Sequence, residues 1–167
     1  MPVCRAGMNE VLRTHVVSFG VVRRTGAAIE LEAGKSVPAD TDVMLLLHAL
    51  HHDPEFWGDD ADEFNPSRWG VTDVEGGAAP AARAPPKHAF APFLDGSRQC
   101  AGKALAELEW TIAMHAMLSR YDLVVAPQDA EHDTLPIKDA MFTLTEGPVA
   151  CTFVPRATTT TATTTAR

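Results

Sequence analysis

The sequence predicts an α+β fold, and three observations predict it. From Gly102 to Ser119, the residues Leu105, Leu108, Ile112 and Ala116 recur every three or four positions, the period of a helix that packs one face on a core. Six short runs rich in β-branched or continuous apolar residues are bounded by Gly and Pro and read as strands. Hydrophobic residues make up 46% of the 167, enough to bury one core.

In chain order, Val3 to Thr14 reads as a helix. Val16–Val22, Ile29–Leu31 and Asp42–Leu47 follow as strands, with a turn over Gly34–Pro38 leading into the third. Asp53 to Trp69 lacks either period and reads as irregular chain, in which Pro54 can start a short helix. Gly70 to Lys87, dense in Ala, Gly and Pro, reads as a loop insertion. After the Gly102–Ser119 helix, Tyr121–Ala126, Phe142–Thr145 and Val149–Val154 close the fold as strands. Residues 157–167 are a Thr/Ala tract without apolar period and read as a disordered tail, so the ordered part is 1–156.

Composition removes several function classes. The formal net charge is −8, which argues against nucleic acid. No apolar run approaches the roughly 20 residues of a membrane span, and there is no signal peptide pattern. Three scattered cysteines, Cys4, Cys100 and Cys151, are too few for a disulfide framework and suit a reducing compartment. His48, His51 and His52, near Asp53 and Glu55, invite a zinc reading, but their spacing matches neither H-E-x-x-H nor a Cys/His finger. They are better read as a strand end turning into a loop. The run Asp59 to Glu63 reads as a solvated face, His115 as packing, and Val17 and Phe19 as core, with the border of a pocket as their alternative.

Three short patterns carry chemistry. Phe93 to Gly102 spells F-x-x-G-x-R-x-C-x-G. Glu10 and Arg13 form E-x-x-R, a spacing that puts both on one helix face. Phe64 to Trp69 spells F-x-P-x-R-W and contains Arg68.

These patterns, in this order, resemble the cytochrome P-450 family, whose cysteine loop binds haem iron through a thiolate. Asp53 to Phe64 also resembles that family's D-P-x-x-W run, with Asp60 in place of a proline, and Val16 stands where many relatives have proline. The resemblance spans about Met1 to Arg156 and implies the C-terminal part of a mostly helical fold: an E-x-x-R helix, a small β-sheet, an irregular meander, the cysteine loop, a long final helix and closing strands. It implies haem b held by Cys100, with Arg98, Arg23 and His88 on the propionates; Arg24, beside Arg23, is an alternative. Phe93 would shield the sulfur. Gly96 and Gly102 would let the backbone approach the porphyrin, where a Cβ would clash. Glu10, Arg13 and Arg68 would form a buried structural ion network.

The activity implied is monooxygenation. One atom of O₂ enters a lipophilic substrate, with electrons from an NADPH-dependent flavoprotein reductase. The family's central helix with its acid–threonine pair has no counterpart here, so the resemblance implies a fragment inactive by itself. For a full-length eukaryotic parent it implies an N-terminal anchor in the endoplasmic reticulum membrane. A non-catalytic haem-binding piece and a product with no function stay open as alternatives.

Overall fold

The computed structural model describes residues 2–71, 88–126, 137–139, 143–145 and 149–156. The loop insertion, from residue 72 onward, and the 157–167 tail lie outside them.

Helix α1 (Pro2–Thr14) buries Ala6, Glu10, Arg13 and Thr14, which recur at helical spacing along one face. That face is mostly polar, so hydrogen bonds rather than apolar contacts must anchor it. The strand expected from Val16 begins only at Gly20. Val16 is buried, but Val17 and Phe19 are 55% and 48% exposed and are not core.

Strand β1 (Gly20–Arg24) pairs antiparallel with a later strand, here β4 (Asp42–Leu46), from Gly20 opposite Leu46 to Arg24 opposite Asp42. A Cβ on Gly20 would lie 2.7 Å from the Leu45 carbonyl oxygen, so the two backbones meet only because this residue is glycine. Between them, β2 (Ile29–Glu30), within the strand expected over Ile29–Leu31, pairs in a small hairpin with β3 (Ser36–Val37), which lies where the sequence suggested a turn. The buried Thr25 closes this excursion: its hydroxyl donates to Pro38 O at 2.7 Å and accepts the Thr41 N–H at 2.9 Å.

After Leu46 the chain coils directly into α2 (Leu47–His51), not into the expected loop. The apolar run across Val43–Leu50 covers both strand and helix, and such runs do not reveal where one gives way to the other. Helix α3 (Pro54–Trp57) is started by Pro54 and capped by Asp53, whose carboxylate accepts the Glu55 N–H at 2.9 Å. Trp57, Ala61 and Ala89 form a small core, with Phe56, Trp69 and Phe90 packed against it.

Helix α4 (Lys103–Leu118) docks on α1 through Trp110, whose indole N–H donates to Cys4 O at 3.1 Å. Lys103, Ala106, Glu107, Trp110, Thr111, Met114, Met117 and Leu118 are its half-buried residues. The stripe read as buried is the open one: Leu105, Leu108 and Ile112 are 58%, 56% and 59% exposed. Ala116 and His115 are exposed as well. The helix is apolar nearly all round, so periodicity identifies a face without saying which element meets it. Leu108→Ala in this chain should therefore change unfolding free energy by no more than about 0.5 kcal/mol in urea titration. A loss of about 2–5 kcal/mol, the cost of emptying a core site, would mean the stripe is packed.

Strand β5 (Tyr121–Val125) pairs antiparallel with the last strand, and β6 (Ile137–Asp139) with β7 (Thr143–Thr145); the last strand is β8 (Cys151–Pro155). Strand β6 was not foreseen, and Phe142, expected to open β7, lies outside the described residues. All three cysteines are free thiols. Among the described residues no helix is long and apolar enough to cross a membrane.

Candidate functional site

Glu10 and Arg13 sit one helical turn apart and are both completely buried. Every N–H of the Arg13 guanidinium is used. Nε donates to Glu10 Oε2 at 3.1 Å, and Nη2 donates to Glu10 Oε1 and Glu63 O, each at 2.8 Å. Nη1 donates to His51 O at 2.9 Å and to Ala61 O. A lysine has three donors on a point charge and could not fill five positions in one plane. The guanidinium also lies 5.2 Å over the Trp57 ring.

The Glu10 carboxylate is equally saturated. Beyond Arg13 it accepts the Asn65 N–H and the Trp69 indole N–H, each at 2.8 Å, and Arg68 Nε stands 3.5 Å from Oε1. Burial alone would raise its pKa, but the donors from Arg13, Asn65 and Trp69 outweigh that and hold it below the ordinary carboxylate value. Arg68 in turn donates to Trp57 O at 3.0 Å, to Asp60 O and to the Asp60 carboxylate. The run Asp59–Glu63 is thus more than a solvated face. Asp60 pairs with Arg68, which lowers its pKa, and the neighbouring carbonyls hold Arg13. The cluster holds two guanidiniums and two carboxylates, so its charges balance.

From this cluster, hydrogen bonds lead towards Cys100. His51 is fully buried, its carbonyl accepts from Arg13, and its Nε2 accepts the Ala91 N–H at 3.0 Å. Ala91 O accepts the Leu94 N–H at 3.0 Å, and Phe93 O accepts the Cys100 N–H at 2.8 Å. Leu94 and Gly96 are left-handed, with φ of 61° and 72°, and a single 3-10 turn over Gly96–Arg98 aims the chain at Cys100. Glycine suits position 96 through its φ, since nothing lies within 4 Å of a Cβ there. Gly102 is in ordinary helical conformation, and a Cβ there would touch Cys100 Sγ at 3.8 Å. What its lack of a side chain protects in this chain is open space beside the sulfur, with no protein clash to relieve. Cys100 is exposed. The Phe93 side chain lines a narrow cavity of about 90 Å³ with Asn9, Leu12, Lys103 and Glu107.

A wider cleft of about 750 Å³ opens between β4 and the cysteine loop. Met44, Leu45, Leu46, Leu47, Leu50 and Leu94 supply apolar walls, and Arg23, His88, Asp95 and Arg98 supply the polar rim. Strand alternation separates the two neighbouring arginines. Arg23 reaches the cleft, while Arg24 pairs on the surface with Asp40 at 2.7 Å. His88 is mostly exposed and lies 4.0 Å from Asp95. Arg98 has no carboxylate partner among the described residues. Cys100, Phe93 and Gly102 do not line this cleft, although Ser97 and Arg98, just before Cys100, do.

The histidine-rich segment divides: the His48 and His52 rings meet at a tilt with centroids 4.1 Å apart, and His51 turns into the interior. No group of three or more His, Cys, Asp or Glu side chains among the described residues is arranged to hold a metal ion. Sequence reasoning missed His51, Asp60 and the Asn65 N–H; Trp69 was present in the quoted F-x-P-x-R-W pattern but carried no role. Only Trp69 had a signal in the sequence.

A family model for cytochrome P450 matches residues 1–153. Cytochrome P450 734A2 from Oryza sativa subsp. japonica is 38% identical over 120 residues, covering 72% of this chain and 20% of the relative. Cytochrome P450 4A24 from Sus scrofa is 35% identical over 127 residues, covering 76% of this chain and 23% of the relative. Cytochrome P450 734A1 from Arabidopsis thaliana is 33% identical over 120 residues, covering 72% and 22%. The chain spans about a fifth of the length of the curated relatives it matches.

Proposed function

The chain belongs to the cytochrome P450 family, and on that premise we propose that it forms the thiolate side of the haem site of a monooxygenase acting on a lipophilic organic substrate. One observation carries the proposal. Arg23, far from the other two in sequence, converges with His88 and Arg98 on one cleft whose remaining walls are largely leucine and methionine.

Haem is a flat apolar macrocycle with two carboxylates and an iron that takes a sulfur ligand, and the residues present fit it. Two guanidiniums on the rim stand against the single Asp95 carboxylate, so the cleft favours an anion. The apolar walls would give the ring non-polar contact. Cys100, two residues beyond Arg98, would be the iron ligand, and Arg23 and Arg98 would hold the carboxylates. The Phe93 carbonyl occupies the Cys100 N–H and holds the loop in one conformation. Glu10, Arg13 and Arg68 act as structural residues beneath it. Bound haem supplies oxygen activation with electrons delivered by a reductase, for which an NADPH-dependent flavoprotein is the proposed partner.

A second reading, haem binding without turnover, is favoured by exposure. Cys100 is open to solvent, as are Val17 and Phe19, whereas oxygen chemistry of this class needs a dry, shaped site. Reductase-coupled product should therefore be absent from this chain alone, and a screen with NADPH, reductase and lipophilic substrates checks this.

Haem titration tests the binding step. Arg23→Ala and Arg98→Ala should each weaken haem binding by about tenfold, the scale of one lost charge-assisted hydrogen bond. Arg24→Ala, on the other face of β1, should leave it unchanged. Equal effects at Arg23 and Arg24 would remove the cleft from the proposal.

A further inference from the structure

We propose that His51 is the positioning residue of the Cys100 loop: its neutral ring fastens that loop to α2, and acid releases it. The proposal rests on the haem-thiolate reading only for its purpose; the fastening itself is visible without a cofactor.

The imidazole is wholly buried, and a backbone N–H, that of Ala91, donates to its Nε2 at 3.0 Å. Nε2 must then be unprotonated, which places the ring proton on Nδ1. Nδ1 has no hydrogen-bond partner in the described residues, although the Leu12 backbone beside it favours the charged form slightly. The ring also packs on Phe90 at 5.3 Å, and Phe90 lies 4.7 Å from Trp69, which holds Glu10. His51 is thus the side chain through which α2 grips the two residues, Phe90 and Ala91, that precede the loop. From Ala91 the backbone bonds to Leu94, and from Phe93 to Cys100, complete the line.

Protonation would put an N–H on Nε2, facing the Ala91 N–H. Two donors cannot pair, so the bond is lost and the charge is stranded in the interior. The groups that face His51 from the packed elements discourage protonation. Arg13 lies on α1, His48 lies on α2 and His52 directly follows it; Glu10 is neutralised by Arg13 and Arg68. His15, just past the end of α1, is itself pushed down by burial, His48 and Arg13, so its ring favours the neutral form. Burial first, then His52, lower the His51 pKa to about 4. An unfolded chain takes up this proton near the ordinary value of about 6.5, and the folded one resists until about 4. The fastening is therefore complete above about pH 6.5 and is lost progressively as pH falls toward 4.

Hydrogen exchange followed by mass spectrometry on the haem-free chain tests this. His51→Phe keeps an aromatic ring but no acceptor. It should lower protection across residues 88–101 by about tenfold while α4 stays protected. His51→Gln restores an acceptor and should keep wild-type protection at neutral pH. In wild type, protection of 88–101 should fall ahead of α4 between pH 6.5 and 4, and in His51→Gln that early fall should disappear. If His51→Phe unfolds the chain, the acid titration of wild type against His51→Gln decides alone. Unchanged protection in a folded His51→Phe, or the same early acid fall in His51→Gln, overturns the proposal. Haem titration run in parallel separates the two claims. A chain that shows the His51-dependent loop yet binds no haem through sulfur sinks the proposed function and leaves the fastening standing.

Discussion

Cys100→Ser is expected to abolish the red-shifted Soret band that a thiolate-ligated haem shows when reduced under carbon monoxide. The loss should be complete, because a serine hydroxyl stays protonated at neutral pH and is a poor donor to iron. It should also be local. Cys100 is exposed, and its backbone bond to Phe93 O does not involve the side chain. Thermal unfolding should move by no more than about 0.5 kcal/mol. Cys4→Ser and Cys151→Ser are the controls. Both are free thiols, Cys151 lies in β8 far along the chain, and neither change should remove the band. A Cys100→Ser protein that keeps the same band would show another ligand on the iron. His88, on the rim of the cleft, would be the first to replace.

Glu10→Ala should cost about 3–5 kcal/mol and leave little folded chain at neutral pH. The magnitude follows from what is stranded. Removing the carboxylate leaves the fully buried Arg13 guanidinium with two donors unmet, and it also frees the Asn65 and Trp69 N–H groups. Arg68 would retain Asp60, so it is the smaller part of the loss. Removing Arg13 as well takes away the stranded charge, so the double variant Glu10→Ala/Arg13→Ala should fall short of the sum of the two single losses. Urea denaturation of the four proteins gives that comparison. A Glu10→Ala chain of wild-type stability would contradict the buried geometry and make Glu10 part of a solvated helix face.

Acid should act on the same region through a separate route. The Glu10 carboxyl is held below its ordinary value, so its contribution is present above that value and is lost as pH falls through the lower folded one. Its loss follows that of His51, whose window opens near pH 6.5.

Local spacing made several features readable before any coordinates. A step of three positions from Glu10 to Arg13 puts both on one side of a helix whatever surrounds them. Pro54 after Asp53 starts a helix because the ring presets φ and the carboxylate caps a free N–H. The ten residues from Phe93 to Gly102 carry their own turn, because Gly96 admits a left-handed backbone. Each of these depends on neighbours a few positions away, which a sequence displays directly.

What no local pattern contains is the choice among equally plausible surfaces. The helix Lys103–Leu118 offers an apolar stripe through Leu105, Leu108 and Ile112 and a second through Ala106, Trp110 and Met114; only contact with α1 selects the second. Arg23 and Arg24 are chemically equal until pairing with Asp42–Leu46 assigns them to opposite faces. His51 reads as a polar residue in a loop until Ala91, forty residues later, brings a backbone N–H to its ring. Asp60 reads as solvated until Arg68 folds back on it. By itself the sequence determined the family and the short helix-borne and turn-borne motifs, because backbone geometry over a few residues depends on those residues alone. Only the tertiary structure decided which faces are buried and which charges meet, because those depend on distances between segments that chain order leaves free.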